Sequence, residues 1–346
     1  MSKTATPAGI DVASVTSWFE QHAAGVEPPL RFDLIKGGRS NLTFKVTDQA
    51  KGAWVLRRPP LGHVLATAHD MGREHKIISA LASTDVPVAP AVGLCTDDAV
   101  NGAPFYVMDF VDGLVLRDAA EAATVTPEVR RRTGLALAET LADIHAVDPD
   151  AVGLGDLGRK EGYVERQLKR WHGQFEKSAT REVPEVTGAH ERLSRSIPPQ
   201  QGATIVHGDY RLDNTMIDAD GNVIAVLDWE ICTLGDPLAD LGLLMVYWSE
   251  ADDPFAPLPG GATTLEGFPS RAELVSAYEA ASGREVNDLG YYEAFGYWKL
   301  ACILEGVYAR YKAGAMGNDG ADADAFGSVV TLLGQAAHAS LDRVGT

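Results

Sequence analysis

Cysteines are scarce in this chain, and long apolar runs are missing from it. The three cysteines, Cys95, Cys232 and Cys302, lie far apart and form no C-x-x-C pair, so we expect buried, reduced thiols rather than a disulfide framework. No apolar run approaches the ~20 residues that a membrane span needs, and the N-terminal residues lack the apolar core of a secretory signal. These absences predict a cytoplasmic protein with no membrane partner.

Positive charge is also in short supply. The 346 residues include 30 Lys and Arg against 48 Asp and Glu, which gives a net charge of -18. Binding to nucleic acid requires a basic surface, so the charge argues against a nucleic-acid partner and weakly favours a cationic one. The composition, 45% hydrophobic and 23% charged, is that of an ordinary globular protein long enough to form two lobes.

The chain changes character near residue 110. Before that point short apolar strands alternate with turns, and one helix is predicted over Met71 to Leu81. After it helical periodicity dominates, with apolar strands at Ala203 to Val206 and Val223 to Leu227. We therefore predict an α+β fold: an antiparallel-sheet N-terminal lobe with one key helix over residues 1–110, and a mainly helical C-terminal lobe over residues 111–346.

The most informative segment runs from His207 to Glu230. It contains a His-x-Asp-x-x-x-x-Asn pattern with Asp209 and Asn214, followed by Asp228 at the end of an apolar strand. This spacing is typical of phosphoryl transfer from ATP, which needs one carboxylate to orient a hydroxyl and further oxygen ligands for metal. Asp209 is the candidate catalytic base, and Asn214 and Asp228 are candidate Mg²⁺ ligands. The alternative is a pair of acidic hairpin edges without chemistry.

A cation and a carboxylate follow each other nearer the N-terminus. Arg57 ends the third predicted strand, and Glu74 lies on the next helix. A strand cation paired with a helix carboxylate is the arrangement that steadies the phosphates of ATP in kinases, whereas a lone surface pair of this kind contributes only ~0–1 kcal/mol. Arg58 is the competing candidate. Because neighbouring strand residues point to opposite faces, only one of the two arginines can face Glu74.

Two further segments are candidates for nucleotide contact. The loop from Lys36 to Asn41 could hold phosphates through backbone N–H groups, although an ordinary hairpin turn would look similar. The segment from Phe105 to Gly113 is an apolar strand that passes into a linker and could offer main-chain hydrogen bonds to an adenine, although a plain core strand is the simpler alternative. The candidate nucleotide-binding residues are Gly37, Gly38, Ser40 and Asn41 in the loop and Met108, Asp109 and Val111 in the linker.

Several other residues have structural interpretations. Asp236 precedes a proline at a predicted helix start, and Asp240 follows four residues later, so we interpret both as helix capping and bracing of the catalytic loop. His207 is expected to brace the same loop. Four aromatic residues of the later helices could line a substrate site, although a place in the core is the simpler interpretation: Trp248, Tyr291, Tyr292 and Trp298.

These motifs resemble those of the aminoglycoside phosphotransferase and choline kinase-like family of small-molecule kinases. The resemblance begins near Leu34, extends over nearly the whole sequence and is most specific at Ile205–Asn214 and Leu227–Glu230. Val-Leu-Arg at 55–57 and Leu-Gly-Asp-Pro-Leu-Ala-Asp-Leu-Gly at 234–242 are most similar to the kinase domains found beside, or fused to, acyl-CoA dehydrogenases.

The resemblance implies a bilobal, protein-kinase-like fold, with ATP and Mg²⁺ as cofactors. It also implies transfer of the γ-phosphate to a hydroxyl of a small molecule, which could be a hydroxyacyl-CoA, another hydroxylated metabolite or an aminoglycoside-like amine. Two alternatives stay open from the residues alone. One is a pseudokinase that binds nucleotide without turnover, and the other is a metal-dependent phosphohydrolase built on the same acids.

Overall fold

The computed structural model describes residues 7–35, 41–61, 70–253, 261–314 and 322–345. These residues form two compact units. The first unit comprises the described residues up to Gly113 together with Ile224–Glu230, and the second comprises Leu114–Val223 and the described residues from Ile231 onward. Ile224–Glu230 was expected in the C-terminal lobe, whereas in the structure this segment groups with the first unit.

The first unit is built on a five-stranded antiparallel sheet in the order β1-β2-β3-β5-β4. Alternation of side chains puts one apolar row on each face, and the register aligns Phe44 with Leu56 and Leu56 with Val107 across three strands. The five strands are β1 Arg31–Leu34, β2 Leu42–Thr47, β3 Ala53–Arg58, β4 Ala91–Cys95 and β5 Phe105–Asp109.

Helices pack against this sheet. Helix α1 (Val12–His22) buries Val15, Trp18 and Phe19 in the cluster that contains Phe44 and Leu56. Helix α2 (Met71–Leu81) contacts β4 and β5, and α3 is the short helix Asp98–Asn101. The bounds of α2 are those predicted from sequence, but α1 and α3 are additions to the one helix expected here. The aspartates Asp11, Asp70 and Asp97 cap the three helices.

The second unit is mainly helical, so the α+β fold class is confirmed. Helix α8 is buried on nearly all sides, and α10 packs against both α8 and α11. Proline stands in the first turn of α5, α7 and α8, where its missing N–H has no intrahelical partner to lose. The eight helices among the described residues of this unit are α4 Ala119–Ala122, α5 Pro127–Ala146, α6 Tyr163–Ser178, α7 Pro184–Arg195, α8 Pro237–Tyr247, α9 Arg271–Ser282, α10 Leu289–Lys312 and α11 Ala323–Arg343.

Four short strands of the described chain lie before, within and after the acidic motif. They are β6 Thr204–Val206, β7 Thr215–Ile217, β8 Val223–Val226 and β9 Thr233–Gly235. Strand β6 pairs antiparallel with β9, and 3-10 turns follow at Leu212–Asn214 and Trp229–Ile231. Within the described ranges, no helix combines the length and apolarity needed to cross a bilayer.

Candidate active site

The loop that follows β6 carries Asp209 and is anchored by a buried carboxylate. Asp240 of α8 accepts the N–H groups of His207 at 2.6 Å and Gly208 at 2.8 Å. Burial opposes ionisation of Asp240, but the neighbouring His145, His207 and the Gly208 N–H outweigh it and lower the pKa of this carboxyl. The predicted bracing role of Asp240 is therefore confirmed. Asp236 caps α8 as predicted, accepting the N–H of Leu238 at 3.1 Å. The other recorded partners of its side chain, Gln201 and Tyr292, lie outside the loop of Asp209, so the bracing role also predicted for Asp236 is not seen among the described residues.

Gly208 occupies a position that requires glycine. Its φ is +83°, in the left-handed region that side chains disfavour. A Cβ there would also lie 3.2 Å from side-chain atoms of Ile231 and 3.3 Å from its carbonyl oxygen. Glycine therefore allows the turn immediately before Asp209 without a clash with Ile231.

Asn214 is tied directly to Asp209. The 3-10 turn Leu212–Asn214 brings its amide nitrogen to 2.8 Å from the Asp209 carbonyl oxygen and 2.9 Å from Asp209 Oδ2. The amide oxygen, Oδ1, has no hydrogen-bond donor among the described residues. The Asp209 side chain is 29% exposed, so a substrate could reach it. The Asn214 side chain therefore holds the candidate base with one end and offers a hard oxygen with the other.

Arg211 sits between two carboxylates of the same loop. Its Nε lies 3.4 Å from Asp209 Oδ2, and its Nη1 lies 2.9 Å from Asp213 Oδ2. The guanidinium also lies over the ring of Tyr247, 4.8 Å from the centroid. Burial raises the pKa of Asp213, and Arg211 opposes that shift. Arg211 is not among the residues predicted from sequence, although a cation two residues after the candidate base was a usable signal.

The first unit holds a separate set of charged residues around Arg57. The Nη1 of Arg57 lies 3.6 Å from Glu74 Oε2, and its Nη2 donates to Asp228 Oδ1 at 3.1 Å. Arg58 points to the opposite face, where it donates to the carbonyl oxygens of Gly9 and Asn101. The structure therefore contains the strand–helix ion pair, and it selects Arg57 over Arg58 as the arginine that faces Glu74.

Glu74 is 1% exposed, yet its carboxylate is well supplied with donors. Tyr106 donates its hydroxyl to Oε2 at 2.9 Å, and Asn41 donates its amide to Oε1 at 3.1 Å. Burial raises the pKa of Glu74 despite the opposing charge of Arg57. Asn41 also approaches Glu230 Oε2 at 3.4 Å. The side chain of Asn41 therefore binds carboxylates, and the predicted contact of its loop with phosphate through backbone N–H groups stays a prediction.

Asp228 has an unusual backbone conformation. Its φ is +63°, a region that few residues other than glycine occupy and that is often found at functional sites. The side chain is 33% exposed. Among the described residues no three His, Cys, Asp or Glu side chains form a metal cluster. A Mg²⁺ site in a phosphotransferase needs only one or two protein oxygens, because water and substrate phosphates supply the others. The donor types of Asn214 and Asp228 fit this requirement.

The other predicted nucleotide-binding residues are partly described. Gly37, Gly38 and Ser40 lie outside the described residues. Strand β5 ends at Asp109, as the linker hypothesis requires, and the Asp109 N–H donates to Pro90 O at 2.9 Å. Met108 pairs with Val55 and Ala91 across the sheet. The nucleotide-binding roles of Met108, Asp109 and Val111 stay predictions.

The four aromatic residues of the later helices belong to the core, in agreement with the simpler interpretation of the sequence. Each is at most 2% exposed, so none can line an open site; they are Trp248, Tyr291, Tyr292 and Trp298. Lys299 of α10, which was not predicted from sequence, donates to the Gly208 carbonyl oxygen at 2.8 Å. A lysine inside an otherwise apolar helix face was the signal that could have identified it.

Comparison with known proteins identifies the family. The family model described as "Phosphotransferase enzyme family" matches residues 32–283. Acyl-CoA dehydrogenase family member 11 of Homo sapiens is 33% identical over 94% of this chain, and the probable acyl-CoA dehydrogenase IBR3 of Arabidopsis thaliana is 35% identical over 80% of it. The chain spans 42% and 36% of these two relatives. The chain therefore belongs to the phosphotransferase enzyme family, whose members are small-molecule phosphotransferases.

Solved structures agree with this assignment. A Ralstonia eutropha JMP134 protein, provisionally named an aminoglycoside phosphotransferase, is 34% identical with a TM-score of 0.78, and the match covers 95% of this chain and 98% of that one. Choline kinase of Cryptosporidium parvum Iowa II, at 12% identity, shares the fold with a TM-score of 0.66 over 96% of this chain and 97% of that one. The predicted family resemblance is therefore confirmed.

Proposed function

We propose that this protein is an ATP-dependent phosphotransferase that moves the γ-phosphate to a hydroxyl of a small molecule. In this proposal Asp209 accepts the proton of the acceptor hydroxyl, and Arg57, held by Glu74, steadies the α- and β-phosphates. Asn214 and Asp228 hold Mg²⁺, which neutralises phosphate charge when bound. Gly37, Gly38, Ser40 and Asn41 contact phosphates, while Met108, Asp109 and Val111 contact the adenine.

The observation that carries the proposal is the setting of Asp209. Its carboxylate is partly exposed, while the loop on both sides of it is fixed by Asp240 and Asn214. An acid that only stabilised the fold would not need a left-handed glycine before it and a buried carboxylate behind it. A general base, by contrast, must be held within hydrogen-bond reach of the proton that it removes. This geometry supports catalysis over a silent pseudokinase.

The acceptor that the relatives favour is a hydroxylated acyl thioester or a related metabolite. The curated relatives carry acyl-CoA dehydrogenase names, and this chain matches less than half of their length. A kinase that shares a polypeptide with a dehydrogenase of acyl thioesters would act on a related compound. The net charge of -18 counts mildly against an anionic CoA ester, so aminoglycoside-like amines belong in the same test.

ADP release measured with a panel of hydroxyacyl-CoAs, other hydroxylated metabolites and aminoglycosides tests the proposal. We expect at least one acceptor to stimulate turnover, and Asp209→Asn to reduce that turnover by about 10²–10⁴-fold. Asp213→Asn is the matched control, because it removes a carboxylate of the same loop and should retain most activity. Nucleotide binding without acceptor-dependent turnover would favour the pseudokinase. Phosphate release that needs no acceptor would favour the phosphohydrolase.

The metal ligands have a separate test. Asn214→Ala and Asp228→Ala should lose Mg²⁺-dependent turnover while keeping the far-UV circular dichroism of the wild type. Titration of ADP with and without Mg²⁺ should show that the metal strengthens binding to the wild type more than to either variant. Equal Mg²⁺ dependence in all three proteins would contradict the metal roles.

A further inference from the structure

Lys299 is a buried lysine to which the proposed chemistry gives no role. It lies in the middle of α10 and is 6% exposed. Its Nζ donates to the Gly208 carbonyl oxygen at 2.8 Å and lies 5.8 Å from the centroid of the Trp171 ring. Burying an ammonium group costs several kcal/mol unless it is paired and hydrogen-bonded. An apolar residue would fill a core position at lower cost, so packing alone does not explain a lysine here.

The charged groups around Lys299 are Asp209 of the loop, Asp240 of α8 and Arg170 of α6. Burial lowers the pKa of Lys299, and the carboxylates of Asp209 and Asp240 oppose this lowering. The two oxygens of Asp240 already accept the N–H groups of His207 and Gly208. Lys299 therefore binds a carbonyl oxygen of the loop, whereas Asp240 binds two N–H groups of the loop.

The two contacts fix consecutive peptide units. Asp240 holds the peptide that joins His207 to Gly208, and Lys299 holds the peptide that joins Gly208 to Asp209. Glycine is the residue with the greatest backbone freedom, so without these contacts the chain would be least restrained immediately before the candidate base. In the described part of the chain, the N–H of Asp209 itself is fixed by a 3.2 Å hydrogen bond to His207 Nδ1.

We propose that Lys299 is a positioning residue for Asp209: it holds the Gly208 carbonyl and so sets the direction in which the Asp209 side chain leaves the loop. This inference rests on the proposed function, because it concerns the geometry of the base. This role also explains why the donor lies on α10, a long helix packed against α8 and α11. A donor on such a helix has little freedom to move.

Three variants test the proposal in steady-state kinetics. Lys299→Met keeps the apolar part of the side chain but removes the ammonium group, and with it the donor and the charge. Lys299→Gln keeps a donor on a side chain one atom shorter, and Lys312→Met removes an exposed lysine from the same helix as the matched control. We expect Lys299→Met to lower kcat by about 10²-fold, as a misplacement of about 1 Å does, with the KM for ATP nearly unchanged. Lys299→Gln should be intermediate, and Lys312→Met should match the wild type.

A double-mutant cycle separates positioning from folding. If Lys299 acts through Asp209, adding Lys299→Met to Asp209→Asn should lower the residual turnover by less than about two-fold, because effects of residues that act together are not additive. The same 10²-fold loss in both backgrounds would overturn the proposal. So would a Lys299→Met variant that unfolds at lower temperature but keeps the kcat of its folded fraction.

Hydrogen exchange gives a measurement that does not need turnover. The peptide around residues 205–212 should exchange faster in Lys299→Met than in wild type, whereas exchange in α9 should be unchanged. Unchanged exchange in the loop would overturn the role of Lys299 even if an acceptor is found. If the wild type has no acceptor-dependent turnover, the proposed function fails, but faster exchange would still show that Lys299 fixes the loop.

Discussion

Replacing Asp240 by asparagine should both destabilise the protein and lower its turnover. The carboxylate accepts two backbone N–H groups at 2.6 and 2.8 Å and is 1% exposed. Asparagine keeps one oxygen but turns an NH₂ group toward the second N–H. The change loses one hydrogen bond to a charged group, about 1.5–3 kcal/mol, and leaves a buried donor unpaired, about 1–3 kcal/mol. We expect the free energy of unfolding to fall by about 3–5 kcal/mol.

Asp236→Asn is the matched control for this change. Asp236 is equally buried at the start of the same helix, but burial raises its pKa, whereas the pKa of Asp240 is lowered. The fold therefore favours the ionised form of Asp240 and disfavours that of Asp236, so a neutral amide should cost less at position 236. Asp236 also makes no contact with the loop of Asp209 that the structure records. Its variant should keep the kcat of the folded protein.

Urea unfolding followed by tryptophan fluorescence measures the stability change, and ADP release with the best acceptor measures turnover. The pH dependence supplies a further check. Because the pKa of Asp240 is lowered in the fold, its contribution is present above the unfolded value of about 4 and is lost as pH falls through the lower folded value. The Asp240→Asn variant should therefore lose less stability than wild type below pH 4. An unfolding free energy within about 1 kcal/mol of wild type, with full turnover, would refute the reasoning.

Three further predictions concern other parts of the chain. Arg57→Met should lower the free energy of unfolding by about 3 kcal/mol, because it leaves Glu74 buried without its cation. In urea unfolding, addition of Glu74→Gln should recover part of the loss. Simple additivity of the two changes would contradict an interaction between Arg57 and Glu74. Gly208→Ala should lower the thermal midpoint and abolish turnover, since alanine at φ +83° is strained; normal kinetics would count against the assigned loop geometry. Arg131 and a helix cap lower the pKa of Glu273 to about 2. The stability contributed by Glu273 should therefore be lost as pH falls from about 4.3 toward 2. In an acid titration followed by circular dichroism, Glu273→Gln should remove this part of the transition.

Local sequence patterns predicted most of the regular structure. Helix α2 has the bounds expected from its apolar period, and the first unit contains the antiparallel sheet that was expected before residue 110. Helix α1 was missed although Val15, Trp18 and Phe19 have helical spacing, because one short apolar period does not by itself distinguish a helix from irregular structure. Short strands such as β7 and β9 were missed because three residues are too few to show a period.

The candidate site was predictable to the extent that it consists of short motifs. Asp209, Asn214 and Asp228 were predicted from spacing, and their roles stay predictions, whereas Asp240 was correctly interpreted as a brace. The partners of Asn41 were not anticipated, because its amide binds carboxylates 33 and 189 residues away. Lys299 was missed for the same reason, since its acceptor is 91 residues distant.

The sequence by itself determined the family, the fold class and the order of the chemical groups along the chain, because apolar periods and short motifs act over a few residues. Only the tertiary structure decided that Arg57 rather than Arg58 faces Glu74 and that a buried lysine holds the loop of Asp209. Those outcomes depend on which side chains meet after distant segments pack. Packing is set by the combined shape and burial of many residues, and no local pattern contains it.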